Sequence, residues 1–89
     1  MYKNGYLDTS KKMKTLILYT TEGCHLCQFA EEILIEAQKV RKFSFEPIDI
    51  SNSDNLVDLY GIRIPVVRDK DTHVELNWPF RLKDLLDLF

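Results

Sequence analysis

The strongest constraint on this chain is a change of hydrophobic period that coincides with a pair of cysteines. Thr15 to Thr20 (TLILYT) is a near-continuous apolar run rich in β-formers, which reads as a central strand buried on both faces. Thr21, Glu22 and Gly23 lead into Cys24-His25-Leu26-Cys27. From His25 to about Arg41 the apolar residues Leu26, Phe29, Ala30, Ile33, Leu34, Ala37 and Val40 recur at steps of three and four. Glu31, Glu32, Glu36 and Lys39 fall largely on the other side, so the spacing predicts an amphipathic helix. Lys39, Arg41 and Lys42 near its end suit the negative pole of the helix dipole.

The remaining segments complete one domain. Phe43 to Ile50 (FSFEPIDI) alternates as a strand does, and Pro47, which has no N–H for a ladder, places it at or near an edge. Ser51, Asn52 and Ser53 are N-cap candidates for a short helix through Leu59 or Tyr60, and Gly61 is its expected stop through a positive φ. Pro65 to Arg68 and Thr72 to Leu76 read as a hairpin around Asp69-Lys70-Asp71. Pro79 is a helix start, with Phe80, Leu82, Leu85, Leu86 and Phe89 at helical spacing. The order is β-α-β-α-β-β-α. A right-handed crossover pairs the first two strands in parallel, and the hairpin adds antiparallel ones. The expectation is an α/β fold with a mixed four-stranded sheet flanked by helices.

At 89 residues the chain holds one domain rather than two. The patterned part runs over 13–89. Residues 1–12 show no period and read as a flexible N-terminal extension or, alternatively, an extra edge element, with Lys11, Lys12 and Lys14 as a short solvated basic group. A net charge of −2 gives no footprint for nucleic acid. No signal-type apolar segment precedes the first strand, and no apolar run is long enough to span a bilayer. The expectation is therefore a cytoplasmic monomer that engages neither nucleic acid nor membrane. In a reducing compartment, two cysteines three residues apart point to redox or metal chemistry rather than to a structural disulfide.

A C-x-x-C pair at a strand-to-helix junction has a physical logic. The helix N-terminus presents unpaired N–H groups and a partial positive charge. A thiolate at Cys24 would be stabilised there, and its population at neutral pH would rise. Cys27 lies one turn on, on the same helical face, where it can attack a mixed disulfide at Cys24. Cys24 is the expected nucleophile and Cys27 the resolving thiol. At His25 two readings stay open: a cation favouring the thiolate, or a plain exposed helix residue. A carboxylate at Glu22 would act against the thiolate. A structural zinc site needs four ligands, and the chain has two cysteines and two histidines, with His73 on a predicted strand far along the chain. No metal is expected. Gln28 after the second cysteine excludes the haem-attachment pattern.

On Leu18-Tyr19-Thr20, Cys24-His25-Leu26-Cys27, Ile64-Pro65-Val66 and the closing helix after Trp78, the chain resembles a glutaredoxin over roughly residues 14–89. More narrowly it is similar to small glutaredoxin-like proteins with a C-H-L-C type motif and a Trp-Pro-Phe segment, here Trp78-Pro79-Phe80. The resemblance implies the thioredoxin fold and a cis Ile64–Pro65 bond beside the dithiol. It also implies that the Ile64 backbone pairs with a substrate peptide or glutathione. Arg63 stands where glutaredoxins carry a Thr; it is either a cation for a glutathione carboxylate or a surface charge. Together with His25 and Leu26, these residues form the expected substrate-contact set. Other departures are His25-Leu26 for the usual Pro-Tyr, Thr21 for a basic residue, and Asn77-Trp78 near the usual Gly-Gly pair. They fall on the glutathione site rather than on the redox centre.

Trp78 and Phe80 read first as packing residues that seat the last helix, and second as residues shaping a substrate groove. Tyr19 sits between a site role and a core role. Asp49 and Asp54 read as solvated carboxylates. Three functions compete. The first is a thiol–disulfide oxidoreductase acting on a disulfide-containing protein or on glutathione, with no bound cofactor and glutathione as substrate or reductant. The second is a non-catalytic binding module that uses the Ile64-Pro65 face. The third is an iron–sulfur or metal-binding role, as in glutaredoxins that bridge a cluster.

Overall fold

The computed structural model describes residues 13–89; the expected extension over 1–12 lies outside them. The elements run β1 (Lys14–Thr20), α1 (His25–Gln38), β2 (Phe43–Asp49), a 3-10 turn (Ile50–Asn52), α2 (Asp54–Tyr60), β3 (Val66–Asp69), β4 (Glu75–Asn77) and α3 (Leu82–Leu86). The sheet order is β2-β1-β3-β4. β1 is parallel to β2 and antiparallel to β3, and β3 is antiparallel to β4. This is the expected α/β arrangement, and β2, with Pro47 in it, is the predicted edge strand.

Strand β1 alternates between two cores. Leu16 and Leu18 meet Ala30, Leu34 and Ala37 of α1, together with Phe43, Val67, Phe80 and Leu85. Ile17 and Tyr19 meet Ile48, Ile50, Leu56, Tyr60, Ile64 and Val66 on the opposite face. Helices α1 and α3 thus cover one face and α2 the other. Burial of each fully enclosed leucine contributes about 2 kcal/mol as an upper estimate, because the unfolded chain already hides part of that surface.

The local differences from the sequence reading have physical reasons. Helix α1 stops at Gln38, where the Val40 and Arg41 N–H groups both turn back to the Ala37 carbonyl. The Gln38 side chain then donates to the Phe43 carbonyl at 3.0 Å, tying the helix end to β2. Ser53 caps α2 by accepting the Leu56 N–H at 3.3 Å. Gly61 does follow α2, but its φ is −51°, not positive. Glycine is required there by space: an added Cβ would lie 2.6 Å from the Val57 carbonyl oxygen. Gly61→Ala is therefore expected to lower stability by about 1–3 kcal/mol in urea unfolding, the usual range for forced overpacking. An unchanged midpoint would show that the loop relaxes freely.

The hairpin is wider than its sequence suggests. β4 begins at Glu75 rather than Thr72, and His73 sits in the turn with φ 68°. Asp69, 1% exposed, organises this turn: its Oδ1 accepts the Asp71 and Thr72 N–H groups at 2.9 and 3.3 Å. Its Oδ2 pairs with Lys14, which is thus a half-buried strand residue and not part of a solvated basic group. Helix α3 begins at Leu82, not at Pro79, because Arg81 takes the N-cap position. The Arg81 N–H donates to Asp84 Oδ2 at 2.8 Å.

Candidate functional site

Cys24 is the N-cap residue of α1, in extended conformation, and Gly23 before it has φ 80°. That positive φ is one that glycine adopts at little cost. The Cys24 N–H reaches back to the Thr21 carbonyl at 3.4 Å, and the Cys24 carbonyl accepts the Gln28 N–H at 3.3 Å. Cys24 and Cys27 are joined as a disulfide with Cα atoms 5.2 Å apart. Cys24 Sγ also accepts the Cys27 backbone N–H at 3.2 Å. The two sulfurs differ in access: Cys24 is half-buried, and Cys27 is 4% exposed. In the reduced state a charge on Cys24 would meet the helix N–H groups and the positive end of the dipole.

A groove of about 430 Å³ opens beside the pair, lined by Leu26, Ile62, Arg63, Ile64, Asn77 and Trp78. Leu26, between the cysteines, and Ile64, before Pro65, therefore share one concavity. The Ile64–Pro65 bond is cis, and Pro65 is fully buried. His25 stands exposed at the first position of α1. Thr21, which leads into the dithiol loop, is tied to β2 because its hydroxyl donates to Asp49 Oδ1 at 3.1 Å. Asp49 also accepts the Ser51 N–H and hydroxyl, and these bonds, the backbone one first, hold its carboxyl below the ordinary value. It is thus a clamp and not simply a solvated carboxylate; Asp54 is an exposed first-turn residue of α2.

Behind the groove lies a polar cluster. The Tyr60 hydroxyl donates to Glu75 Oε2 at 2.6 Å, and Tyr60 stacks on Tyr19 with ring centroids 4.0 Å apart. Arg63 Nη2 and Arg68 Nη1 reach Glu75 at 3.2 and 3.1 Å. Burial, and then the bond to Glu75, push the Tyr60 hydroxyl up to about 12. Burial alone would raise the Glu75 carboxyl, but the bonds from Tyr60, Arg63 and Arg68 pull it below the ordinary value. Tyr19 is accordingly a core residue, 8% exposed. Trp78 packs edge-to-face on Phe80 at 5.1 Å and also lines the groove.

Of the residues singled out from sequence, Leu26, Arg63 and Ile64 come together in the groove, and Pro65, next to Ile64 in the chain, is fully buried. Ile62 was not foreseen. It is 102% exposed, an apolar side chain wholly in solvent at the groove's rim. Its signal was its place beside Arg63-Ile64-Pro65 just after the α2 stop, where an apolar residue has no helical period to satisfy. Glu75 was also missed, since its partners Tyr60 and Arg63 lie far away in sequence; Asn77, read from sequence as a departure at the glutathione site, does line the groove. Among the described residues no three His, Cys, Asp or Glu side chains are grouped so as to hold a metal ion. No helix among them is long and apolar enough to cross a membrane.

Comparison with known proteins places this geometry in context. The glutaredoxin-like domain family (DUF836) matches residues 15–88. No curated protein matches the chain in sequence. Among solved structures, the protein XcR50 from X. campestris is 36% identical with a TM-score of 0.71, covering 83% of this chain and 97% of that one. Protein Ne2328 from Nitrosomonas europaea is 30% identical with a TM-score of 0.75, covering 99% and 96%. A malarial protein at 13% identity and a TM-score of 0.65 shares the fold, over 86% of this chain and 93% of that one. The family match spans both the dithiol helix and the cis-proline strand, so the chain belongs to the glutaredoxin-like domain family and has a thioredoxin-like fold.

Proposed function

We propose that this chain is a thiol–disulfide oxidoreductase in which Cys24 attacks and Cys27 resolves. One observation carries the reading: Cys24 Sγ sits at the helix N-cap and accepts the Cys27 N–H at 3.2 Å, while Cys27 itself is 4% exposed. The more accessible sulfur is the one that the helix end would stabilise as an anion. The Cys24 thiolate attacks one sulfur of a substrate disulfide. A Cys24–substrate disulfide forms, the substrate S–S bond breaks, and the first substrate thiolate leaves. Cys27 then loses its proton and attacks Cys24 Sγ, releasing the second thiolate and closing the Cys24–Cys27 disulfide. The substrate gains two electrons and the chain loses two. A thiol reductant such as glutathione returns them, and no bound cofactor takes part.

The substrate disulfide belongs to a protein or to glutathione, and the chain works as a monomer in a reducing cytoplasm. Equilibration against defined thiol redox buffers tests the chemistry. A reversible two-electron transition with a midpoint at about −200 to −270 mV is expected, the span between glutaredoxins and thioredoxins. A pair that forms no intramolecular disulfide at any poise overturns the reading.

A further inference from the structure

We propose that the groove beside the dithiol selects a protein segment with apolar side chains next to its disulfide, in preference to the anionic tripeptide disulfide of glutathione. The inference rests on the oxidoreductase reading and names the substrate class of that same site.

The walls of the groove supply the first argument. Leu26 is 46% exposed and Ile62 102% exposed, and both face solvent at the groove. Ile64 and Trp78 are half-buried in its lining. Four of the six lining side chains are thus apolar, and one of them, Leu26, lies between the two cysteines in the chain. An extended peptide that placed apolar side chains against Ile62 and Trp78 would remove this surface from water.

The second argument is electrostatic. Arg63 is the one cation among the described lining residues, and a carboxylate ligand would have to use it. Every nitrogen of its guanidinium already donates within the protein. Nε donates to the Leu59 carbonyl at 3.2 Å, Nη1 to Asn77 Oδ1 at 3.4 Å and Nη2 to Glu75 Oε1 at 3.2 Å. Its guanidinium carbon also lies over the Tyr60 ring, 4.9 Å from the centroid. These bonds use three of its five N–H groups and fix its orientation, so a ligand carboxylate would be left the remaining two and would meet the Glu75 carboxylate beside them. Arg68 shares that carboxylate, so one positive charge of the cluster is left over, but Arg68 is not in the groove's lining. The peptide backbone and apolar side chains of a protein segment face no such obstacle.

The test compares two symmetrical tripeptide disulfides. One is glutathione disulfide; the other is the disulfide of a terminally blocked, uncharged Leu-Cys-Val. The rate of oxidation of the reduced chain by each is divided by the rate of the same disulfide with 2-mercaptoethanol, which removes differences in intrinsic reactivity. The normalised rate is expected to favour the apolar disulfide by about tenfold or more, the discrimination typical of a seated apolar group. Ile62→Ser, at a side chain fully in solvent, should lower that ratio severalfold. Glu75→Gln, which frees the Arg63 charge while an amide oxygen still accepts from Tyr60, should lower it from the other side by speeding glutathione disulfide. A ratio at or below one in the unsubstituted chain, or a ratio that neither substitution moves, overturns the inference and leaves the oxidoreductase reading intact. Failure of both disulfides to oxidise the chain overturns both.

Discussion

Cys27→Ser is expected to convert the chain into a trap: incubated with a disulfide substrate, it should accumulate a stoichiometric mixed disulfide on Cys24. The half-buried sulfur at the helix N-cap keeps its N–H partner at position 27, because the bond comes from the backbone and not from the thiol. Attack therefore survives the substitution, and only release is lost. Cys24→Ser should instead reduce exchange by about three orders of magnitude or more, since the one thiol left, Cys27, is 4% exposed and lies inside the first turn rather than at the N-cap. Intact-mass measurement after alkylation of free thiols reads both results. An adduct on Cys27 in Cys24→Ser would reverse the two roles. Full turnover by Cys27→Ser without an accumulating adduct would mean that an external thiol resolves the intermediate.

Asp69→Ala should be the most damaging substitution outside the dithiol. The carboxylate is 1% exposed and answers three groups: the Lys14 ammonium and the N–H groups of Asp71 and Thr72. Alanine would leave a half-buried lysine without its partner and two hairpin amides without an acceptor. Breaking such a pair from one side costs about 3–5 kcal/mol, a large part of the 5–15 kcal/mol of a typical domain. The same residue predicts acid sensitivity. Burial alone would raise its carboxyl, but the Lys14 bond and the two backbone N–H groups bring it below the ordinary value. A depressed folded value means that the carboxylate's contribution is complete above about pH 4, where an unfolded aspartate is ionised. It is lost as pH falls through the lower folded value. Urea unfolding from pH 7 to pH 2 should show this decline, and Asp69→Asn should flatten it. An equally steep decline in Asp69→Asn would assign the acid sensitivity to Asp49 and Glu75, whose carboxyls are lowered as well.

What could be read from the sequence divides by the range of the interactions involved. The double-faced burial of Leu16 to Tyr19 and the helical spacing from Leu26 to Ala37 are local patterns, and both elements appear where they were expected. So do the cysteine pair at the junction and Pro65 after a cis bond. The misplaced features depend on partners that no period reveals. Lys14 looked like part of a solvated basic group until Asp69, 55 residues on, was found beside it. Asp49 looked solvated until Thr21 came within 3.1 Å. The start of α3 at Leu82 rests on Arg81 as N-cap, its N–H held by Asp84, whereas Pro79 in sequence looks like an ordinary helix start. At the site, Arg63 carries two readings in sequence, and its ion pair with Glu75, twelve residues on, is invisible to any period. Ile62 was overlooked because exposure, unlike burial, leaves no periodic trace.

The alternation of β1 between two cores has a bearing on how such a chain can change over generations. Substitutions at Leu16 or Leu18 trade against α1 and α3, and those at Ile17 or Tyr19 trade against α2, so the two sides can drift separately. A length change cannot be confined in this way. One inserted residue before Leu16 would hand every downstream side chain to the opposite layer and exchange the aromatic stack of Tyr19 on Tyr60 for a clash with the α1 face. The strand that delivers the chain to Cys24 is therefore open to rewording but closed to respacing, and lineages of this domain should record their insertions elsewhere, in the exposed hairpin tip over 70–74.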